Sequence, residues 1–429
     1  MTNSAQYQSC TSNLRSQPTA VALAMAIVFS LTVVVTQSAQ AQTFTVLHAF
    51  SGEAGGNEPQ AGVTMDAAGN LYGTTYIGGT DACPDGCGTV FKLGKKGSGW
   101  ILTPLYSFPG FSDGAHPDGR VAIARDGTLY GTTSEAGNSG HGTVFQLKPS
   151  ASAPKSALAP WTHTVLYNFT GSDGSGPQGD LTFDQSGNIY GTTGYGGADN
   201  DGVIYELTPA GGTWTGTVLH SQSYSEGTYP QGGVILDSSG NLYGVLQSGG
   251  QNGFGAIYEL SPSGPNWTEQ TLYSFYEFTA GIYPVGGLLI DPSGNLYGTT
   301  STGGGNDGGG IVFELTPAYG GWTFNALYNL SGCGQCGPQD KLVMDAAGNL
   351  YGTSYGLGHE GYGSVFKLTP SNGGWTYTSL HDFTGGTDGA HPFGPILDAN
   401  GNLYGTTATG GLANCDDGVG CGVVWEITP

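Results

Sequence analysis

Basic residues are scarce: 10 Lys and Arg stand against 32 Asp and Glu in 429 residues, a formal charge of −22. That balance argues against nucleic acid or an anionic membrane surface as partner, since both attract positive protein faces. Long apolar runs are missing beyond residues 20–35, so nothing further along the chain is read as a transmembrane helix. The sequence has no H-E-x-x-H pair, which removes the zincin signature. It also lacks S-x-D-x-G-x-T-W boxes of the sialidase type. What is abundant is glycine, 79 residues. At about 1 kcal/mol per helical position relative to alanine, that count excludes a mainly helical protein. Disorder is excluded in turn by 24 Tyr, 17 Phe and 7 Trp, enough to build a large core.

The apolar run AVALAMAIVFSLTVVV follows Arg15 and precedes Ser38-Ala39-Gln40-Ala41, with small residues at both A-x-A positions. This predicts a signal peptide over residues 1–41, cleaved after Ala41, and a single domain over residues 42–429. A retained anchor is the alternative, although the run is short of the about 20 residues a span requires. The mature protein is expected to be secreted, to the periplasm or beyond, with no membrane association after cleavage.

A G-[NT]-[LI]-Y-G unit recurs seven times, with tyrosines at 72, 130, 190, 243, 297, 351 and 404, spaced 53 to 60 residues apart. Around each lie four short strand-like segments, named A to D in order: an LLID-type segment, NLYGTT, IVFELTP, and WTxxxLYxF. The A–B joint is D-x-x-G-N in most copies, a tight-turn signal, and Pro ends segment C. Seven units of four antiparallel strands predict an all-β fold, a seven-bladed β-propeller. The repeat is split at the chain ends. Residues 42–50, QTFTVLHAF, align with the D segment WTHTVLYNF of residues 161–169, and residues 422–429 form a C segment with no D after it. The N-terminal strand is therefore expected to complete the last blade and close the ring, leaving no exposed edge. Trp at the start of six D segments, and the recurring Tyr and Phe, are read as packing within and between blades.

The phrase P-x-G-x-x-x-D-x-x-G-N-L-Y-G followed by G-T-V-F-x-L-x-P resembles the GloVer tandem repeat of exported bacterial proteins, over residues 42–429. The shorter D-x-x-G-N-L-Y is similar to NHL-type and virginiamycin B lyase-like propeller repeats. The GloVer resemblance implies export and a propeller-like repeat, and implies no defined activity. The NHL-like resemblance implies that strand A is innermost, which puts the D–A and B–C loops on one face.

That face then gathers the chemistry. All six mature cysteines fall there, Cys83 with Cys87, Cys333 with Cys336, and Cys415 with Cys421, and an even count in an exported chain predicts disulfides. Pairing is expected within each set. Cross-blade pairing between blades 7 and 1 is the alternative. The sequence DGAHP occurs twice, placing Asp113 with His116 and Asp388 with His391 in D–A loops. These four residues are the candidate ligand contacts. No cofactor is expected; Asp199 and Asp201 are weak candidates for calcium, since the full EF-hand pattern is absent. Lys341 and Arg120 enter innermost strands, where they can either balance buried acids or meet an anionic ligand. The expected function is a monomeric, non-catalytic exported scaffold that binds a glycan, small molecule or protein through this loop face. The alternative is a lyase or hydrolase acting at the same face, since paired glycosidase carboxylates leave no sequence signature.

Overall fold

The computed structural model describes residues 42–80, 82–149, 161–305, 308–332, 336–415 and 418–429. The expected signal segment, Cys333 and four of the loop acids (81, 307, 416 and 417) lie outside the described residues.

Seven four-stranded antiparallel sheets form the ring, each running A-B-C-D outward, as Val63–Met65, Leu71–Thr75, Thr89–Lys96 and Gly99–Ser107 do in blade 1. Blade 7 takes Ala390–Leu397, Leu403–Thr409 and Val423–Thr428 from the C-terminal end and Thr43–Ala49 from the N-terminal end. Thr43 faces Thr428, Val46 faces Trp425 and Ala49 faces Val423. The closure expected from the split repeat is therefore present.

The D-x-x-G-N-L-Y phrase folds as one hydrogen-bonded unit. In blade 1, Asp66 Oδ1 accepts the backbone N–H of Ala68 and of Asn70, each at 2.9 Å. Its Oδ2 accepts the Asn70 side-chain amide at 2.7 Å and the Tyr72 hydroxyl at 3.0 Å. Burial opposes ionisation of Asp66, but these donors outweigh it and hold the carboxyl below the usual range. Blade 2 departs from the phrase at Ala124 and Thr128. There Asp126 caps only the Thr128 N–H at 3.0 Å, and Gln146 bonds the Tyr130 hydroxyl at 3.3 Å instead. The blade still forms. The glycine after each tyrosine lies under the strand C aromatic: a Cβ on Gly73 would sit 2.6 Å from the Phe91 ring.

Neighbouring blades meet through their D strands. The residue six places after the Trp position of one blade packs against the residue two places after it in the next. Tyr106 stacks on His163 at 4.3 Å, Tyr273 on Phe324 at 4.1 Å, and His381 on Phe44 at 3.7 Å. Burial pushes the His163 imidazole down to about 4, against the pull of Asp113, so the stack carries a neutral ring at pH 7. One joint, between blades 3 and 4, is polar.

Two disulfides pair locally, Cys83 with Cys87 and Cys415 with Cys421, with Cα separations of 5.2 and 5.7 Å. Each packs beneath the D–A loop that follows. A Cβ on Gly110 would lie 3.1 Å from Cys87 Sγ, and one on Gly52 would lie 3.3 Å from Cys415 Sγ.

Candidate functional site

The P-x-G step leads each chain segment into its innermost strand, so the residue after the proline comes from every blade to the top of the central channel. These residues are Gln60, Asp118, Gln178, Gln231, Val285, Gln339 and Phe393. With Gln247, Tyr283 and Tyr355 from neighbouring loops, all but Val285 line a cavity of about 720 Å³. It opens on the D–A/B–C face, where strands B end and strands A begin.

The proline is preceded by a strained residue at most joints. Glu58, His116, Tyr229, Tyr283 and His391 hold φ between 56° and 58° without being glycine, an arrangement that costs about 1–3 kcal/mol each. Each is over-determined by a bond to the preceding blade. The N–H groups donate to carbonyls of Cys421, Cys87, Asp201, Phe254 and Tyr362 in that order, at 2.8 to 3.3 Å. The same bonds seal the blade joints and set five side chains around the rim.

The channel floor holds two cross-ring ion pairs. Arg120 of blade 2 donates through Nη2 to Asp340 Oδ2 of blade 6 at 2.8 Å, and through Nε to the Ala61 carbonyl at 2.9 Å. Lys341 of blade 6 pairs with Asp180 of blade 3. Burial disfavours the Arg120 charge, but Asp340 and Asp180 outweigh it. Burial likewise opposes the Asp180 charge, and Lys341 and Arg120 outweigh that. The two cations thus balance buried acids, the first of the two roles open to them from sequence.

Asp118 stands apart from this balance. Burial pushes its carboxyl up to about 6, with only His116 pulling it back. The neighbouring Tyr76 hydroxyl is raised by burial and by Asp118, Glu135 and Glu58.

The two DGAHP motifs are split by the fold. His116 and His391 stand at the rim, their Nδ1 atoms 3.1 and 2.9 Å from the carbonyls of Tyr76 and Tyr355, with their rings against those tyrosines. The aspartates turn the other way, to the outer blade joints. Asp113 accepts the Tyr106 hydroxyl at 2.5 Å, and Asp388 lies 3.1 Å from His381 Nε2 and accepts the Thr384 N–H at 3.0 Å. Asp199 and Asp201 flank the turn residue Asn200, whose side chain accepts the Gly196 N–H at 3.1 Å. Neither belongs to a group of three metal-ligating side chains among the described residues. Sequence reasoning passed over the glutamine ring. The signal was present as Pro-Gln in four of the seven copies.

No curated protein matches this sequence. Among solved structures, PorZ, an essential bacterial surface component of the type-IX secretion system of Porphyromonas gingivalis, superposes with a TM-score of 0.52 at 14% identity. The match covers 88% of this chain and 47% of PorZ, so the chain spans about half the length of that protein. A fungal alcohol oxidase of the AA5 family, solved in complex with copper, gives a TM-score of 0.54 at 14% identity, covering 90% of this chain and 76% of its own. At such identities both likenesses concern the fold alone. The repeat itself is decisive: with matches at residues 27–163, 155–335 and 280–429, the chain belongs to the Gloeobacter/Verrucomicrobia repeat family.

Proposed function

We propose that this protein is an exported, non-catalytic propeller that binds a neutral polar ligand, a glycan by chemical class, in the channel mouth on the D–A/B–C face. The glutamine ring carries this reading. Gln178, Gln231, Gln247 and Gln339 line the cavity, and none makes a side-chain hydrogen bond to another described residue. Each amide offers two donors and an acceptor, which is the pairing that hydroxyl groups require. Tyr283, Tyr355 and Phe393 add ring faces for the apolar side of a sugar. Among the described residues that line the cavity, the one cation, Arg120, is already paired with Asp340, which disfavours an anionic ligand. The two disulfides fit an exported protein.

The test is a titration of neutral oligosaccharides followed by calorimetry. The variant Q231A/Q339A is expected to fold as the parent does and to lose at least tenfold in affinity, as each lost neutral hydrogen bond is worth about 1 kcal/mol. Equal binding by parent and variant would place the ligand elsewhere.

Asp118 supports a second reading, an extracellular lyase or hydrolase at the same mouth, because a carboxyl near neutrality suits general acid–base work. Glycan turnover by the parent that disappears in D118N would favour it. The same variant has a thermodynamic signature. The folded protein holds the Asp118 proton more tightly than the unfolded chain, so this group costs stability above pH 6 and costs nothing below about pH 4. D118N is therefore expected to raise stability at pH 7.5 by up to about 2 kcal/mol, and to change little at pH 4. A flat difference between those two pH values, read from thermal melts, would show that Asp118 titrates normally.

A further inference from the structure

The polar joint between blades 3 and 4 differs from its equivalents in two places, Glu269 and Gln222, while His220 stands where blade 6 also has a histidine, His381. The stacking position on blade 3 is His220, and its partner on blade 4 is Glu269. Two residues beyond His220, where the other D strands carry a buried Phe or Leu such as Phe108, Phe275 and Leu330, stands Gln222, fully buried. Glu226, from the loop entering blade 4, completes the group.

His220 Nε2 lies 3.3 Å from Glu226 Oε2 and 3.5 Å from Glu269 Oε2. The three ligand atoms are within 4.8 Å of one another, and no other three His, Cys, Asp or Glu among the described residues gather in this way. Outer partners fix the carboxylates. The Gln222 amide donates to Glu269 Oε2 at 2.7 Å, and the Ser223 hydroxyl donates to Glu226 Oε2 at 2.7 Å. The Glu269 side chain is only 3% exposed, yet its Oε1 has no hydrogen-bond partner, and neither does the buried Tyr258 hydroxyl, which lies within reach of the Glu269 charge.

Protons satisfy this arrangement poorly. One Nε2–H faces two carboxylates, and both distances exceed the about 2.7–2.9 Å of a charge-assisted bond. A tetrahedral ion fits it well. Ligands about 2.0–2.1 Å from zinc stand about 3.3–3.4 Å apart along a tetrahedral edge, close to the two edges that run from His220, 3.3 and 3.5 Å. A nitrogen ligand selects zinc-class ions over calcium or magnesium, which take oxygen. We propose that His220, Glu226 and Glu269 form a zinc site that ties blades 3 and 4 together at their outer rim, with its fourth position left to water.

The experiment is calorimetric titration of the purified, untagged protein with Zn²⁺ after chelator dialysis, alongside thermal melts. One ion per chain is expected, with a rise in melting temperature. H220Y places there the tyrosine found at four equivalent positions (Tyr106, Tyr167, Tyr273 and Tyr328), and is expected to fold and to bind at least tenfold more weakly. E226A changes a half-exposed side chain and is expected to do the same. Absence of Zn²⁺ binding by the folded parent overturns the site, as does unchanged binding in E226A, which decides the matter even if H220Y fails to fold.

Discussion

Deletion of residues 42–50 is expected to abolish the folded monomer. The segment supplies the outer strand of blade 7, and its loss strips the ladder partner from Val423–Thr428. Phe50 is fully buried and packs edge-on against Phe91 of blade 1 at 5.2 Å. Truncating one such phenylalanine costs about 3–5 kcal/mol. Removing it together with the Phe44 stack and a whole ladder exceeds the about 5–15 kcal/mol that holds a typical domain together. What remains of the ring has a bare edge, an invitation to pair with another chain. Size-exclusion chromatography and thermal melts read the result as aggregation or a lost transition. Addition of a synthetic 42–50 peptide is expected to restore part of it. A monomer with an unchanged transition would show that the closing strand is dispensable.

Replacement of Arg120 by Met is expected to destabilise the protein by about 3–5 kcal/mol, the cost of leaving a buried charge without its partner. Asp340 would lose its guanidinium, and Asp180 would keep only Lys341. The double variant R120M/D340L removes both members of one pair and is expected to recover most of the loss, since an apolar replacement of a buried pair is often close to neutral. Urea midpoints for the two variants decide the point. If R120M falls within 1 kcal/mol of the parent by the scale of ordinary surface changes, water in the channel screens these charges and they do not brace the ring.

The ring itself was legible because the evidence for it is multiplied by seven. One D-x-x-G-N turn is a weak signal, whereas seven at a regular period, with the unit split across the ends, specify both the blade count and the closing strand. In the linear sequence the tyrosine of the same phrase shows only a packing role. Its hydroxyl bond to the turn aspartate becomes visible only once the hairpin is built. The candidate site was harder. Charged types drew attention to Asp113 and Asp388, which the fold spends on the blade joints. The cavity is instead lined by glutamines, which carry no distinctive chemistry in a linear reading. The partners of Arg120 and Lys341 lie 220 and 161 residues away in sequence, brought together only by the circle. Gln222 and Glu269 are within reach of an alignment of the D strands column by column, where Gln222 alone interrupts a run of Phe and Leu and Glu269 is the one acid in its column.

Synthesis imposes an order on this architecture. Thr43–Ala49 is made before blades 1 to 6, and its partner strand, Val423–Thr428, is made after them. Until then the strand has nowhere to dock. Closing a loop of 385 residues costs about 5 kcal/mol of chain entropy before any constant term, roughly twice the cost within one hairpin. Blades 1 to 6 can each settle on local pairing as they emerge, but the seventh must wait until Val423–Thr428 has been made. Its rate of formation is therefore set by the most distant contact in the molecule, and the half-made ring is the state a chaperone would have to protect.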